Sequence, residues 1–186
     1  MRESTAYVSP WRIDVAVRDG VEPRTAIAVL CRAIARTLDA TGAPDPASIG
    51  LILADDAELA ELNRTHMGAE GPTDVLSFPL LPPSAFPDHP GKAAAGGESG
   101  AEPAAAFVAP PGRPHLGDIV VSVERAVAQA AAGRGGQTGD VRWSARDELR
   151  LLVTHGALHV CGWDHADPAE EAAMRALEQR LLAQER

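Results

Sequence analysis

The sequence predicts an α+β domain in which a single mixed four-stranded sheet is covered by helices, and three observations carry that expectation. Apolar residues recur at period two in some segments and at helical spacing in others, the two kinds of segment alternate imperfectly along the chain, and no internal repeat is apparent. At 186 residues and 45% hydrophobic content the chain can bury a proper core, and its length argues for one domain spanning residues 1–186.

Taken in order, Met1 to Pro10 is polar, and the first strand is counted from Trp11, where Trp11, Ile13, Val15 and Val17 alternate with polar residues. Glu22-Pro23 opens a helix whose apolar positions are Ala26, Ile27, Leu30, Cys31, Ile34 and Leu38, closed by Thr41-Gly42-Ala43-Pro44. Ser48 to Leu53 is an apolar run suited to a buried strand, and Asp55 or Asp56 can cap a helix through Leu62. Val75 to Leu80, between Gly71-Pro72 and Pro82-Pro83, makes a third strand. From Pro82 to Pro114 the composition shifts to Pro, Gly, Ala and Ser, with Phe86, Phe107 and Val108 its only large apolar residues, so a mobile insertion is expected there. Leu116 to Ser122 is the fourth strand, followed by a helix from Val123 to Ala132 that Gly133-Arg134-Gly135-Gly136 ends. Ser144 caps a helix running to about Cys161, and Asp167-Pro168 opens a last helix packing Ala172, Met174, Leu177, Leu181 and Leu182.

The charge balance of 17 Lys+Arg against 26 Asp+Glu, a net −9, argues against capture of nucleic acid by bulk charge; any such contact must be local. Two cysteines are too few for a disulfide framework and fit a reducing compartment. With no apolar run long enough for a membrane and no secretion signal, the expected location is the cytoplasm.

The chemistry is concentrated in His155-Gly-Ala-Leu-His159-Val-Cys-Gly162-Trp-Asp-His165. Residues i and i+4 of a helix share a face one turn apart, so His155 and His159 can both aim nitrogens at one ion. Gly162 can take a positive φ, stop the helix and swing the chain back so that His165 becomes the third ligand. Six histidines and 17 glycines would produce the full spacing by chance on the order of once in a few thousand shuffles, which sets aside the reading as ordinary loop histidines. Three ligands leave one tetrahedral position of a Zn²⁺ ion open, the pattern of a catalytic site, with one ion expected per chain. Cys161, two residues after His159, points to another side of the helix and is expected to be buried. His66, His89 and His115 are assigned surface or loop roles. The spacing is also that of metzincin zinc proteases, hence a metzincin-like zinc helix, but the glutamate that serves those enzymes as general base is replaced by Gly156. Proteolysis is thereby disfavoured.

Two further segments, Pro72-Thr73-Asp74-Val75-Leu76-Ser77-Phe78-Pro79 and Leu116-Gly117-Asp118-Ile119-Val120-Val121-Ser122, precede the histidine cluster in that order. Together the three resemble the YbeY family over roughly Trp11 to Leu182, apart from the insertion. The resemblance implies a single-strand-specific metallo-endoribonuclease acting in 16S ribosomal RNA maturation and ribosome quality control. It further implies zinc held by His155, His159 and His165, single-stranded ribosomal RNA as substrate, and the small ribosomal subunit or its associated proteins as partners. Two departures stand out: the insertion is longer than the usual connection, and where many relatives have Tyr-Arg this chain has His66-Met67. Methionine cannot hold a phosphate bidentately as a guanidinium can, and Arg64 on the same predicted helix is the candidate substitute.

Asp74, Ser77 and Asp118 are the next polar candidates, Asp74 being set beside His155 and Arg64 as a catalytic candidate. Glu148 is expected to be a favourable first-turn charge, and Arg142, Arg146 and Arg150 recur at a spacing suited to a small basic stripe. Besides the endoribonuclease, two alternatives are carried: a zinc metallopeptidase of metzincin-like geometry, and a non-catalytic ribosome-binding factor whose zinc only holds the last helices together.

Overall fold

The computed structural model describes residues 1–90, 112–133 and 143–183. Strand β2 (Trp11–Val17) shows the expected alternation, with Trp11, Ile13, Val15 and Val17 buried and Arg12 exposed between them. Its neighbour β3 (Ser48–Ala54) runs parallel and pairs Ile13 with Ile49, Val15 with Leu51 and Val17 with Leu53. Strand β5 (His115–Ser122) continues the parallel pairing, Leu51 against Ile119 and Leu53 against Val121, and β4 (Val75–Pro79) closes that edge antiparallel to β5. Inward residues of neighbouring strands thus lie side by side and present one continuous apolar face.

The sheet has five strands in the order β1-β2-β3-β5-β4, so the expected four is one short. The additional strand, β1 (Arg2–Val8), pairs antiparallel with β2 from Arg2 opposite Val17 to Val8 opposite Trp11. It lies at the sheet edge and five of its seven residues point into solvent, only Ala6 and Val8 being partly covered, so no apolar alternation marked it in the sequence.

Five helices form as the spacing predicts: α1 (Ile27–Thr41), α2 (Asp56–Leu62), α3 (Val123–Ala131), α4 (Ala145–Val160) and α5 (Pro168–Ala183). Local chemistry fixes their ends. Gly42 closes α1 in the left-handed region, the Asp55 carboxylate accepts the Glu58 N–H at the start of α2, and Ser144 with Asp147 forms a reciprocal capping box on α4. The main core lies between one sheet face and α1, α4 and α5, with Leu30, Ile34 and Leu38 of α1, Leu149, Val153 and Ala157 of α4, and Met174, Leu177 and Leu181 of α5 all buried. A smaller cluster on the other face joins Leu59 of α2 to Ala54, Leu76 and Val120. No helix among the described residues is long and apolar enough to cross a membrane.

The first residues of the expected insertion are built into the fold. Residues 83–85 form a short 3-10 turn, Phe86 is buried in the main core, and His89 stacks on Trp163 with ring centroids 4.0 Å apart. The insertion's middle, 91–111, and the glycines at 135 and 136 lie outside the described residues. One aromatic anchor suffices to fasten a segment that is otherwise poor in apolar residues, because it fills a site that would otherwise be a cavity. Phe86→Ala is therefore expected to lower unfolding stability by about 3–5 kcal/mol, the usual cost of emptying a buried aromatic site. Denaturant unfolding checks it, and a midpoint equal to that of the unaltered protein would return Phe86 to a dispensable loop.

Candidate metal centre

Helix α4 delivers His155 and His159 to one face, and the turn after it delivers His165. Gly162 has φ +81°, its N–H donates to the His159 carbonyl at 3.0 Å, and the Trp163 N–H donates to the Leu158 carbonyl at 3.0 Å. These two bonds are the paired 5→2 and 6→1 closure that ends a helix on a left-handed residue. The chain then reverses, and the ligand atoms of the three histidines lie within 4.8 Å of one another, the only such cluster of possible metal ligands among the described residues.

The donors match a metal ion in a way that goes beyond proximity. His155 Nδ1 lies 2.6 Å from Glu178 Oε1, and His159 Nδ1 lies 2.9 Å from the Trp163 carbonyl oxygen. Both partners are acceptors, so each Nδ1 carries a proton and each Nε2 is the nitrogen left to face the cluster. The two Nε2 atoms face one another at 3.0 Å. That approach suits a shared proton or a cation between the rings, and tetrahedral zinc with bonds of about 2.0–2.1 Å sets its nitrogens about 3.3 Å apart. Burial is the largest cause that pushes the His159 pKa down to about 4, which keeps its imidazole neutral at neutral pH.

Glu178 was not singled out from the sequence. It lies 23 residues beyond His155, but it is also four residues beyond the buried Met174, which places a carboxylate on the edge of the inward face of α5; that spacing was the available signal. A second tie holds the His165 turn. The Glu170 carboxylate, on a residue only 7% exposed, accepts the Asp164 N–H at 2.9 Å, and the buried His89 ring lies against Trp163. His89 thus lies in a loop, as expected, but its ring is packed and does not face solvent.

A cleft of about 490 Å³ opens beside the cluster between α4 and α5, and His155, His165, Asp74, Trp143 and Glu178 are among the residues lining it. Asp74 accepts from the Val75 N–H at 3.0 Å and from Gln129 Nε2 at 2.9 Å. Arg64 lies on a single π-helical turn, 63–67, with its side chain 64% exposed and ion-paired to Glu61 at 2.6 Å, and is not among the lining residues of this cleft. Ser77 Oγ donates to the Gly156 carbonyl at 3.0 Å, and Asp118 pairs with His115 Nε2 at 3.0 Å, so neither is spent on the cluster. Glu148 is fully buried and accepts from Trp143 Nε1 at 2.5 Å, more than the first-turn charge expected of it. Arg150 is buried and donates to the Leu182 carbonyl, so it contributes no exposed basic stripe with Arg146; Arg142 lies outside the described residues. Cys161 is buried, as expected, and burial pushes its thiol up to about 12.

Gly156 has a packing role. A Cβ built there would stand 2.7 Å from Ile119 Cγ2, 3.2 Å from Val75 Cγ2 and 3.2 Å from Ser77 Oγ, so α4 lies directly against β4 and β5 at this point. The position after His155 faces the sheet and not the cleft.

An α+β domain whose central helix brings three histidines together as a site for a metal ion, beside an open cleft, defines a candidate metal-dependent hydrolase. The family model described as endoribonuclease YbeY matches residues 15–186. The chain belongs to that family, whose members are hydrolases acting on RNA. It is 44% identical over 174 residues to the Endoribonuclease YbeY of Salinispora tropica, covering 92% of this chain and 94% of that one. To the protein of the same name from Roseiflexus castenholzii it is 39% identical over 153 residues, covering 81% of this chain and 78% of the other. To that from Mycobacterium tuberculosis it is 38% identical over 173 residues, with 91% and 81% covered.

Proposed function

We propose that this chain is a zinc-dependent endoribonuclease that cuts single-stranded RNA, acting in the cytoplasm on 16S ribosomal RNA in association with the small ribosomal subunit, in maturation and quality control. The observation that carries the metal-dependent part is the convergence of three histidines, with the Nε2 atoms of His155 and His159 3.0 Å apart and the opposite ring nitrogen of each facing an acceptor. His155, His159 and His165 would hold the ion. Bound zinc supplies a Lewis acid for a phosphoryl oxygen and lowers the pKa of a water molecule.

The chain's own groups do the rest. Glu178 and the Trp163 carbonyl hold two imidazoles in one tautomer and orientation, so little reorganisation is left for the reacting state. Asp74 lines the cleft with His155 and His165, and as a carboxylate on that wall it is the candidate to take a proton there. Arg64 would have to leave Glu61 and swing toward the cleft to meet a phosphate, and its exposure on a surface turn leaves room for that.

The test is paired. Protein purified without added metal should contain about one zinc per chain and cut single-stranded RNA, with duplex RNA and casein left intact. Removing the metal with a chelator should stop the cleavage, and adding zinc should restore it. Casein hydrolysis would favour the peptidase; full zinc with neither polymer cut would favour the binding factor.

A further inference from the structure

The cleft beside the histidines poses an electrostatic problem for a substrate made of phosphates. Asp74, Glu171 and Glu178 line it, and the one guanidinium among its described lining residues, Arg175, is ion-paired with Glu171 at 2.5 Å. The chain as a whole carries a net charge of −9. The charge of these lining side chains opposes a phosphate strand, so a contact indifferent to sign would add to whatever the metal and Arg64 supply.

Trp143 supplies such a contact. Trp11 and Trp163 are core residues, 2% and 9% exposed, whereas Trp143 is only partly buried and lines the cleft with His155. Its indole N–H is donated to Glu148, a residue with no exposed surface, so the ring is pinned by one edge to the interior. A tryptophan fixed in this way on a wet wall loses little freedom when a flat partner covers it. Every nucleobase offers a π face, and only a base outside a duplex has that face to give.

We infer that Trp143 is the stacking platform for an unpaired base of the substrate strand, and that this contact contributes to the preference for single-stranded over duplex RNA. The inference rests on the endoribonuclease reading given above. Trp143 acts on binding, and its role is therefore that of a specificity-determining residue.

The experiment compares Trp143→Phe with Trp143→Leu in the full chain. Both lose the hydrogen bond to Glu148, so the difference between them isolates the aromatic face. In the zinc-loaded enzyme, Phe should keep KM for single-stranded RNA within about threefold, while Leu should raise it about tenfold with kcat little changed, in line with the worth of one stacked base. In protein stripped with EDTA, which cannot cut the probe, a short single-stranded RNA should quench indole fluorescence and its duplex should not. Zinc content and thermal unfolding, measured on each variant, show that both are folded. Equal KM values for Phe and Leu, with the unaltered enzyme active, would overturn the stacking role alone. An unaltered protein that neither binds nor cuts RNA would overturn the functional reading and this inference with it.

Discussion

His155→Ala is expected to reduce RNA cleavage on the order of a thousandfold or more while leaving the protein folded. The magnitude follows from removing a ligand of an ion whose charge stabilisation is worth several kcal/mol, each tenfold in rate being about 1.4 kcal/mol. The fold should persist because the His155 side chain is 29% exposed, outside the tightly packed core that Leu149, Val153 and Ala157 form, and alanine is the better helix former. Zinc per chain, far-ultraviolet circular dichroism and cleavage of single-stranded RNA are to be measured on one preparation. Cleavage that survives in metal-free, folded His155→Ala protein would show that the metal is structural, and the ribonuclease mechanism would have to be sought elsewhere.

The second large effect is expected at Glu178, which would act on a bound ion only through His155. Glu178→Ala should weaken zinc binding about 10- to 100-fold, the usual cost of losing the acceptor that orients a ligating imidazole. Glu178→Gln keeps an acceptor oxygen 2.6 Å from Nδ1 but removes the charge, and its loss should be smaller. Competition with a chromophoric chelator reads both without any assay of RNA. Equal affinity in Glu178→Ala and the unaltered protein would mean that the imidazole is held by its packing alone.

What could be read from the sequence was what is local to it. The capping box of α4, the glycine that ends it and the three histidines fall within about two dozen consecutive residues, and their geometry follows from helix periodicity and one positive φ. The alternation in β2 was equally plain, because one face is core and the other is wet. The edge strand β1 was not, since most of its residues meet water on both faces and its partner is identified only by pairing. Phe86 and His89 were hidden by the composition around them, although each packs against structure, Phe86 in the core and His89 on Trp163. Glu178 and the Trp163 carbonyl escaped for another reason: tertiary structure decides which group meets the second nitrogen of a histidine, and one of the two partners is backbone.

The closeness of Gly156 to the sheet has a consequence for changing one activity into another. Peptidases with this histidine spacing place their general base at that position, so a single codon change from glycine to glutamate appears on paper to join the two chemistries. In this fold the first carbon of any such side chain already stands 2.7 Å from a methyl of Ile119. A glutamate there would force Ile119 or the helix to shift, at a cost of about 1–3 kcal/mol. The fold therefore resists the peptidase's base at the very position where that base would be needed.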